Sequence, residues 1–301
     1  MITRAYRSIS ARTSNRYRQT LGQFFESAVK GRGYPSLPAK PVGEITLLIF
    51  AGAAQLPMVR ECLWSIYHSW GELPGIRLVS DGTISGGGLI QAIAWWPGKK
   101  EAEPWQAAAD GHERRGRSDL SALARKNVLG KKLSAILAAG EREPTLYCDS
   151  DMLWFSGPPP LPEREAGKAV VRLAVDLVRH YDNRLLEEAR ITELDGEPAL
   201  NTGAVYAAGD VYEACGLERV LRIAAQEPGY FSEQTVLAYC CRRLGGGYWP
   251  GEKIVLKTDD KHWPVAARGP GEGTLARHYV GDVRHWFWRD ALWMRKHRAK
   301  A

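Results

Sequence analysis

The most constraining feature of this sequence is the stretch Thr145-Leu146-Tyr147-Cys148-Asp149-Ser150-Asp151-Met152-Leu153-Trp154-Phe155. Four residues suited to a buried strand run into two carboxylates one residue apart, and apolar residues resume at once. A short apolar run of this kind predicts an interior strand of a sheet covered on both faces. Two ionised carboxylates do not belong in an apolar core, where an unpaired charge neutralises instead. The pair is therefore expected at the carboxyl end of the strand, facing a crevice. There Asp149 and Asp151 can share a divalent cation, directly or through water, because hard cations such as Mg²⁺ and Mn²⁺ prefer carboxylate oxygen. The competing reading is a strand-end turn with solvated aspartates.

The flanking segments predict the architecture around this strand. Ile45-Thr46-Leu47-Leu48-Ile49-Phe50 reads as a first strand, ended by Ala51-Gly52. Val59, Leu63, Ile66, Tyr67 and Trp70 recur at helical spacing, and Ile76-Arg77-Leu78-Val79-Ser80 is a second strand ending at Asp81-Gly82. Strand, helix and strand in that order predict a right-handed parallel βαβ unit. The interval 83–118 is Gly-rich and then charge-rich, and insertions or mobile loop are expected there. Ser118 is the expected cap of the next helix, and a further helical stretch, Lys131–Ala139, is expected to stop at Gly140. Ligands of an open α/β sheet sit outside the carboxyl ends of its strands. Gly52, Asp81 and the Asp149–Asp151 pair should therefore share one edge. Gly52 would let backbone approach a ligand, and Asp81 would hydrogen-bond a ribose or base, although both also read as ordinary turns.

Downstream, Ala199-Leu200-Asn201-Thr202-Gly203-Ala204-Val205-Tyr206 is an apolar strand interrupted by a polar triplet. A mid-strand glycine marks a bulge or a close backbone approach, and the adjacent Asn offers both donors and an acceptor. Phe231-Ser232-Glu233-Gln234 precedes a helix carrying Val236, Leu237 and Tyr239, with Ser232 its expected N-cap. Near the end comes His278-Tyr279-Val280-Gly281-Asp282-Val283-Arg284-His285-Trp286. A tight loop at Gly281 could aim the His278 imidazole and the Arg284 guanidinium at one diphosphate.

Taken in this order, the motifs resemble glycosyltransferase family eight, the retaining sugar-nucleotide transferases that include glycogenin and bacterial lipooligosaccharide galactosyltransferases. The resemblance spans about residues 45–286, and its most specific part is the His-x-x-Gly-x-x-Arg-x-Trp ending. It implies an α/β chain with the GT-A fold: a Rossmann-like nucleotide half, a mixed central sheet and an acceptor half. Carried over by position, Asp149, Asp151 and His278 would hold Mn²⁺ (or Mg²⁺). Asn201 and Gly203 would meet the donor sugar, Gln234 would lie beside its anomeric carbon, and Gly281 with Arg284 would close on the diphosphate. This chain has Arg284-His285 where the family usually has Lys-Pro. It has Asn-Thr-Gly and Glu-Gln where the family has Asn-Ala-Gly and Asp-Gln, and its first strand lacks the polar residue that usually meets the base.

The implied activity is transfer of a hexose from a nucleoside-diphosphate sugar, a UDP-sugar above all, to a glycan, lipid-linked or cell-envelope acceptor with retention. The leaving group gains negative charge as the glycosidic bond breaks, which a divalent ion, Arg284 and Lys132 would stabilise. Two carboxylates and an imidazole favour Mn²⁺ over Mg²⁺. The Gln234 carbonyl can support front-face attack, while Glu233 or Asp176 are alternative covalent nucleophiles. Asp176 can equally orient the acceptor. An inverting transferase on the same fold would use Glu233 as base, and a non-catalytic sugar-nucleotide-binding protein at a membrane is a further alternative. A phosphatase of the haloacid-dehalogenase type, with Lys257, Asp259 and Asp260 as later residues, fits poorly. Its Asp-x-Asp belongs near the start of the domain and wants Thr or Val at position 153, which is Leu here.

Charge divides the chain further. Residues 1–40 carry eight Lys or Arg against one acid, and residues 284–301 six against one, so a net charge of +7 conceals an acidic body. Bulky apolar residues accompany both basic ends, among them Tyr6, Tyr17, Phe24 and Phe25, then Trp286, Phe287, Trp288, Trp293 and Met294. The expected organisation is a basic arm and linker over 1–40, a GT-A domain over 41–286 and a basic aromatic tail over 287–301. Such ends suit an anionic membrane surface, solvated disorder or, at the front, a transit peptide. At the back, the competing reading is a structural C-terminal helix in which Trp288 and Trp293 pack onto the domain. No nucleic-acid-binding signature accompanies them. The five cysteines lack CxxC spacing and read as reduced, which favours a cytoplasmic protein seated peripherally on the inner face of a membrane.

Overall fold

Apolar residues on both faces of the central strands decide the layering. In chain order the elements are α1 (Ile2–Lys30), β1 (Val42–Ala51), α2 (Leu56–Ser69), β2 (Leu73–Ser80), α3 (Gly86–Ala92), β3 (Lys100–Pro104), α4 (Trp105–Arg114), α5 (Ser118–Lys126) and α6 (Val128–Arg142). They continue with β4 (Thr145–Cys148), β5 (Met152–Trp154), β6 (Val170–Val175), α7 (Asn183–Ala189), β7 (Leu200–Ala208), α8 (Val211–Cys215), α9 (Glu218–Gln226) and α10 (Ser232–Arg243). The last are β8 (Tyr248–Trp249), β9 (Ile254–Leu256), β10 (Ala276–His278) and α11 (Arg284–His297). This computed structural model describes residues 2–163, 165, 167–196, 198–258, 271 and 273–297. Asp259 and Asp260 lie outside the described residues.

A seven-stranded mixed sheet has the order β3-β2-β1-β4-β7-β6-β8, and a small sheet has the order β5-β10-β9. Pairs β1–β2, β1–β4 and β2–β3 are parallel, as the βαβ reading requires, whereas β7 runs antiparallel to both β4 and β6. Alternate residues of β1 and β4 enter opposite cores. Leu48 and Tyr147 pack with the α6 and α10 side, and Leu47, Ile49, Leu146 and Cys148 with the α2 side. Reversal of β7 brings its first residues, Asn201 to Gly203, to the same edge as the carboxyl ends of β4 and β6. Cys148 pairs with Ala204, and the Asp149 amide donates to the Gly203 carbonyl at 2.7 Å. The five cysteines are free and buried.

Several local expectations differ from the structure. The interval 83–118 contains α3, β3 and α4 rather than loop, with Ser85 capping α3 through the Gly88 amide. Helix α6 does not stop at Gly140, which instead sits against β7, where a β-carbon would come within 2.9 Å of that of Ala207. Ser118 and Ser232 are first helical residues rather than caps, behind Arg117 and Phe231. The Ser232 hydroxyl donates to Asp182 at 2.6 Å instead.

The two ends form helices that pack on each other. The expected arm is the 29-residue helix α1, and the expected tail is the body of α11. Leu21, Phe25, Ala28 and Val29 of α1 pack on Trp286, Phe287, Trp288 and Met294 in a third apolar cluster. Phe25 and the aromatic residues of α11 thus bury against one another, while Tyr17 and Phe24 of α1 stay exposed. Arg295 of α11 is itself buried, bonded to Glu61 and stacked on Trp64. Among the described residues no helix is long and apolar enough to cross a membrane.

Candidate active site

Every expected site residue except Gly52 and Asp81 lines one cavity of about 320 Å³. The two exceptions occupy a turn of their own at the ends of β1 and β2. Asp81 accepts from the Thr83 amide at 2.7 Å, and a β-carbon on Gly52 would meet Asp81 and Thr83. The turn reading therefore describes their contacts here.

Asp149 and Asp151 follow β4 and flank the turn into β5, while β10 pairs antiparallel with β5 so that His278 stands opposite Met152. The His278 Nε2 lies 3.2 Å from Asp151 Oδ1 and 3.5 Å from Asp149 Oδ2. One ligand atom from each of the three residues falls within 4.8 Å of the others. Two carboxylates and an imidazole converging on one point make a donor set that fits a divalent cation of the Mn²⁺ or Mg²⁺ class. Burial alone would lower the His278 pKa, but the carboxylates of Asp151 and Asp149 outweigh it and hold it raised. Burial opposes ionisation of Asp151 as well, yet His278 and Arg284 bring its pKa down to about 2.

Asn201 orients this imidazole. Its Oδ1 accepts from the Gly203 amide at 2.8 Å and lies 3.0 Å from His278 Nδ1. Because an amide oxygen can only accept, Nδ1 carries the proton in this second bond, which leaves Nε2 to the carboxylates. Gly203 is required here for space, since a β-carbon would approach His278 Nδ1 to 2.3 Å. The expected sugar-binding pair thus touches the metal candidate set directly.

Behind Asp149 lies a buried polar cluster that the sequence only partly suggests. Lys132 Nζ, from the second turn of α6, lies 3.3 Å from both Asp149 Oδ1 and Glu233 Oε1 and donates to the Thr202 carbonyl at 3.0 Å. The Thr202 hydroxyl donates to Glu233 Oε2 at 3.1 Å, and the Tyr147 hydroxyl donates to Asp149. Burial works against the Lys132 charge, but Asp149 and Glu233 hold its pKa up, while burial pushes the Glu233 carboxyl up against the pull of Lys132. Tyr147 was legible as the residue two before Asp149 on the same side of a strand. Thr202, between Asn201 and Gly203, carries no sequence signal of its own.

At the other wall, Gln234 Nε2 donates to the His180 carbonyl at 2.9 Å and to Asp176 Oδ2 at 3.3 Å, and Asn201 Nδ2 reaches the same oxygen at 3.3 Å. Asp176 Oδ1 accepts from the Leu177 amide at 2.7 Å. This commits both carboxylate oxygens and leaves the Gln234 Oε1 as the acceptor that amide can offer a ligand. Gly281, at φ 44°, makes the tight turn that starts α11 and sets Arg284 over Asp151, with Nη2 2.6 Å from Oδ2. The mouth carries the exposed side chains of Leu177, Val178 and Tyr230, for which the sequence held no signal.

No protein-family model matches the sequence, and no curated protein matches it. Solved structures do. The galactosyltransferase LgtC, in complex with donor and acceptor sugar analogs, is similar with a TM-score of 0.53 at 15% identity, over 82% of this chain and 95% of that one. Mouse xyloside xylosyltransferase 1, in its apo form, gives 0.51 at 12% identity, over 82% of this chain and 99% of that one. The bifunctional glycosyltransferase WbbM gives 0.52 at 11% identity, over 86% of this chain and 51% of that one. With the seven-stranded mixed sheet and the reversed β7, these matches identify the architecture of this chain as the GT-A fold of glycosyltransferases.

Proposed function

We propose that the chain is a glycosyltransferase that moves a hexose from a UDP-sugar to a glycan, lipid-linked or cell-envelope acceptor with retention of configuration, using Mn²⁺ or Mg²⁺. The observation that carries this reading is the convergence on one cavity of Asp149, Asp151, His278 and Arg284 with Gln234 and Asp176, the two sets bridged by Asn201. Asp149, Asp151 and His278 would hold the cation, which when bound would supply Lewis-acid stabilisation to the diphosphate leaving group.

The side chains divide the remaining work. The Arg284 fork can grip phosphate oxygens in two parallel bonds, and this grip strengthens as the leaving group gains charge. Lys132, held in place by Glu233 and Thr202, keeps positive potential beside Asp149. The Gln234 amide is pinned through Nε2, so its carbonyl can face positive charge developing at the anomeric carbon. Asp176 holds Gln234 and Asn201 in register. Glu233 is paired with Lys132 and Thr202, which supports a positioning role for it and argues against both covalent attack by Glu233 and an inverting mechanism with Glu233 as base.

Exposed Leu177, Val178 and Tyr230 at the mouth support an acceptor that brings apolar or flat sugar faces. We also infer a cytoplasmic protein that meets an anionic membrane through exposed basic residues such as Arg16 and Arg32, with the exposed Tyr17 and Phe24 beside them. The direct test is a screen of nucleotide sugars for Mn²⁺-dependent donor hydrolysis and transfer, with the product anomer read by NMR. Metal-dependent release of UDP with a retained anomer is the expected result. Binding of nucleotide sugars without any turnover would leave a binding protein, and an inverted anomer would overturn the front-face assignment.

A further inference from the structure

Arg284 commits the Nε–Nη2 edge of its guanidinium to Asp151. Its Nη2 and Nε lie 2.6 Å and 3.1 Å from Asp151 Oδ2, while Oδ1 of that carboxylate faces His278 Nε2 at 3.2 Å. Both oxygens that Asp151 could give to a cation are therefore engaged by side-chain nitrogens. Asp151 is buried and fixed between them, but the Arg284 side chain is 53% exposed. It stands in the first turn of α11, three residues after the left-handed Gly281, and it borders two cavities. One holds the candidate metal and sugar residues. The other, between α1 and α11, has a volume of about 420 Å³ and shares only Gly281 and Arg284 with the first. The guanidinium thus has space to turn on either side of its present position.

We infer that Arg284 is a positioning residue that exchanges partners, holding Asp151 while no donor is present and releasing that carboxylate to the cation when a nucleoside diphosphate offers its phosphates instead. The inference rests on the metal and donor reading above. Planar guanidinium forks suit carboxylate and phosphate geometry equally, so the exchange replaces one charge-assisted pair by another. Without a diphosphate, Arg284 and the cation compete for Asp151 Oδ2. With one, the competitor is drawn away. Metal and nucleotide must then raise each other's affinity by the same factor, as reciprocal linkage requires.

The test is calorimetric titration of full-length protein with Mn²⁺ alone and again with Mn²⁺ at saturating UDP, repeated for Arg284→Gln and Arg284→Lys. Association of Mn²⁺ with UDP in solution is common to all three proteins and cancels in the comparison. Arg284→Gln should bind Mn²⁺ alone on the order of five- to tenfold more tightly than the native protein and lose most of the enhancement by UDP. Arg284→Lys, with a point charge in place of the fork, should keep part of that enhancement. A merely structural Arg284 would change the unfolding midpoint of the metal-free protein and leave the coupling intact. Equal or weaker Mn²⁺ binding by Arg284→Gln overturns the exchange while sparing the metal site. Absence of Mn²⁺ binding by every protein overturns the metal reading itself and the exchange with it.

Discussion

The side-chain oxygen of Asn201 lies 3.0 Å from Nδ1 of His278, and the other ring nitrogen faces Asp151 at 3.2 Å. A strand-start residue and a residue 77 positions later thus form one unit, with the Gly203 amide fixing the Asn201 oxygen at 2.8 Å. Groups that orient a metal-ligating histidine typically account for about 10–100-fold in metal affinity. Asn201→Ala should therefore weaken Mn²⁺ binding by roughly that factor, and Asn201→Asp, which keeps an acceptor for the Nδ1 proton, should restore part of it. Unchanged Mn²⁺ affinity in Asn201→Ala, measured by electron paramagnetic resonance, would show that the ring is held by other contacts.

The Lys132 ammonium is buried among Asp149, Glu233 and Thr202. Removing one member of such a cluster strands the others, so Lys132→Met should cost about 3–5 kcal/mol of stability. Glu233→Gln keeps a hydrogen-bonding side chain and should cost less, about 1–3 kcal/mol. Combining Lys132→Met with Glu233→Leu should be less damaging than the sum of the single changes, because the second removes a charge that the first left unpaired. Urea unfolding of the single and double variants checks this. Strict additivity would mean that the two side chains do not act as a pair.

The legibility of this site follows from how unusual each residue is in its setting. Two aspartates inside an apolar run, an Asn-Thr-Gly inside another, and a spaced His-Gly-Arg each break a pattern, and each proves to line the cavity. Gly52 and Asp81 also end strands, but Asp-Gly after a strand satisfies itself locally, and Asp81 is engaged by Thr83. Pairing between distant segments was the hidden part. Nothing in the sequence of α6 says that Lys132 meets Glu233, or that β7 reverses to bring Asn201 to His278. The ends are ambiguous for another reason. Leu21, Phe25, Ala28 and Val29 recur at helical spacing, but an excess of Arg and Lys around an apolar stripe suits solvent or lipid as well as a partner helix.

His112 gives an acid-sensitivity prediction. Burial, followed by the weaker effects of Arg115 and Arg117, lowers its pKa to about 4 against the opposing Ser134 carbonyl, 3.1 Å from Nε2. Its folded-state value is thus below the roughly 6.5 expected on unfolding, and the unfolded chain binds more protons between these two values. Stability from the neutral ring is fully present above about pH 6.5 and is lost as pH falls toward 4, by at most about 3 kcal/mol. His112→Gln should flatten this slope in denaturant titrations between pH 7 and pH 4. An identical slope in native protein and variant would show that other groups carry the acid sensitivity.

Helix α11 is expected to hold the fold together through Arg295. Arg295 places Nη2 2.7 Å and Nε 3.0 Å from the two oxygens of Glu61, and its guanidinium lies 3.7 Å from the Trp64 ring centroid and 4.1 Å from that of Tyr34. Glu61 is 1% exposed and is also the acceptor for the Tyr34 hydroxyl. Arg295→Ala leaves this carboxylate buried without its cation and should cost about 3–5 kcal/mol. Deleting residues 289–301 should cost more, because Leu292 and Met294 leave the cluster shared with α1 at the same time. Circular dichroism melts with vesicle flotation separate this from the tail reading. A truncated protein that melts like the full chain, with a salt-sensitive loss of binding to anionic vesicles, would restore the C-terminal segment as a membrane tail. An early, aggregating melt with no difference in flotation would establish α11 as part of the core that carries Arg284 to the site.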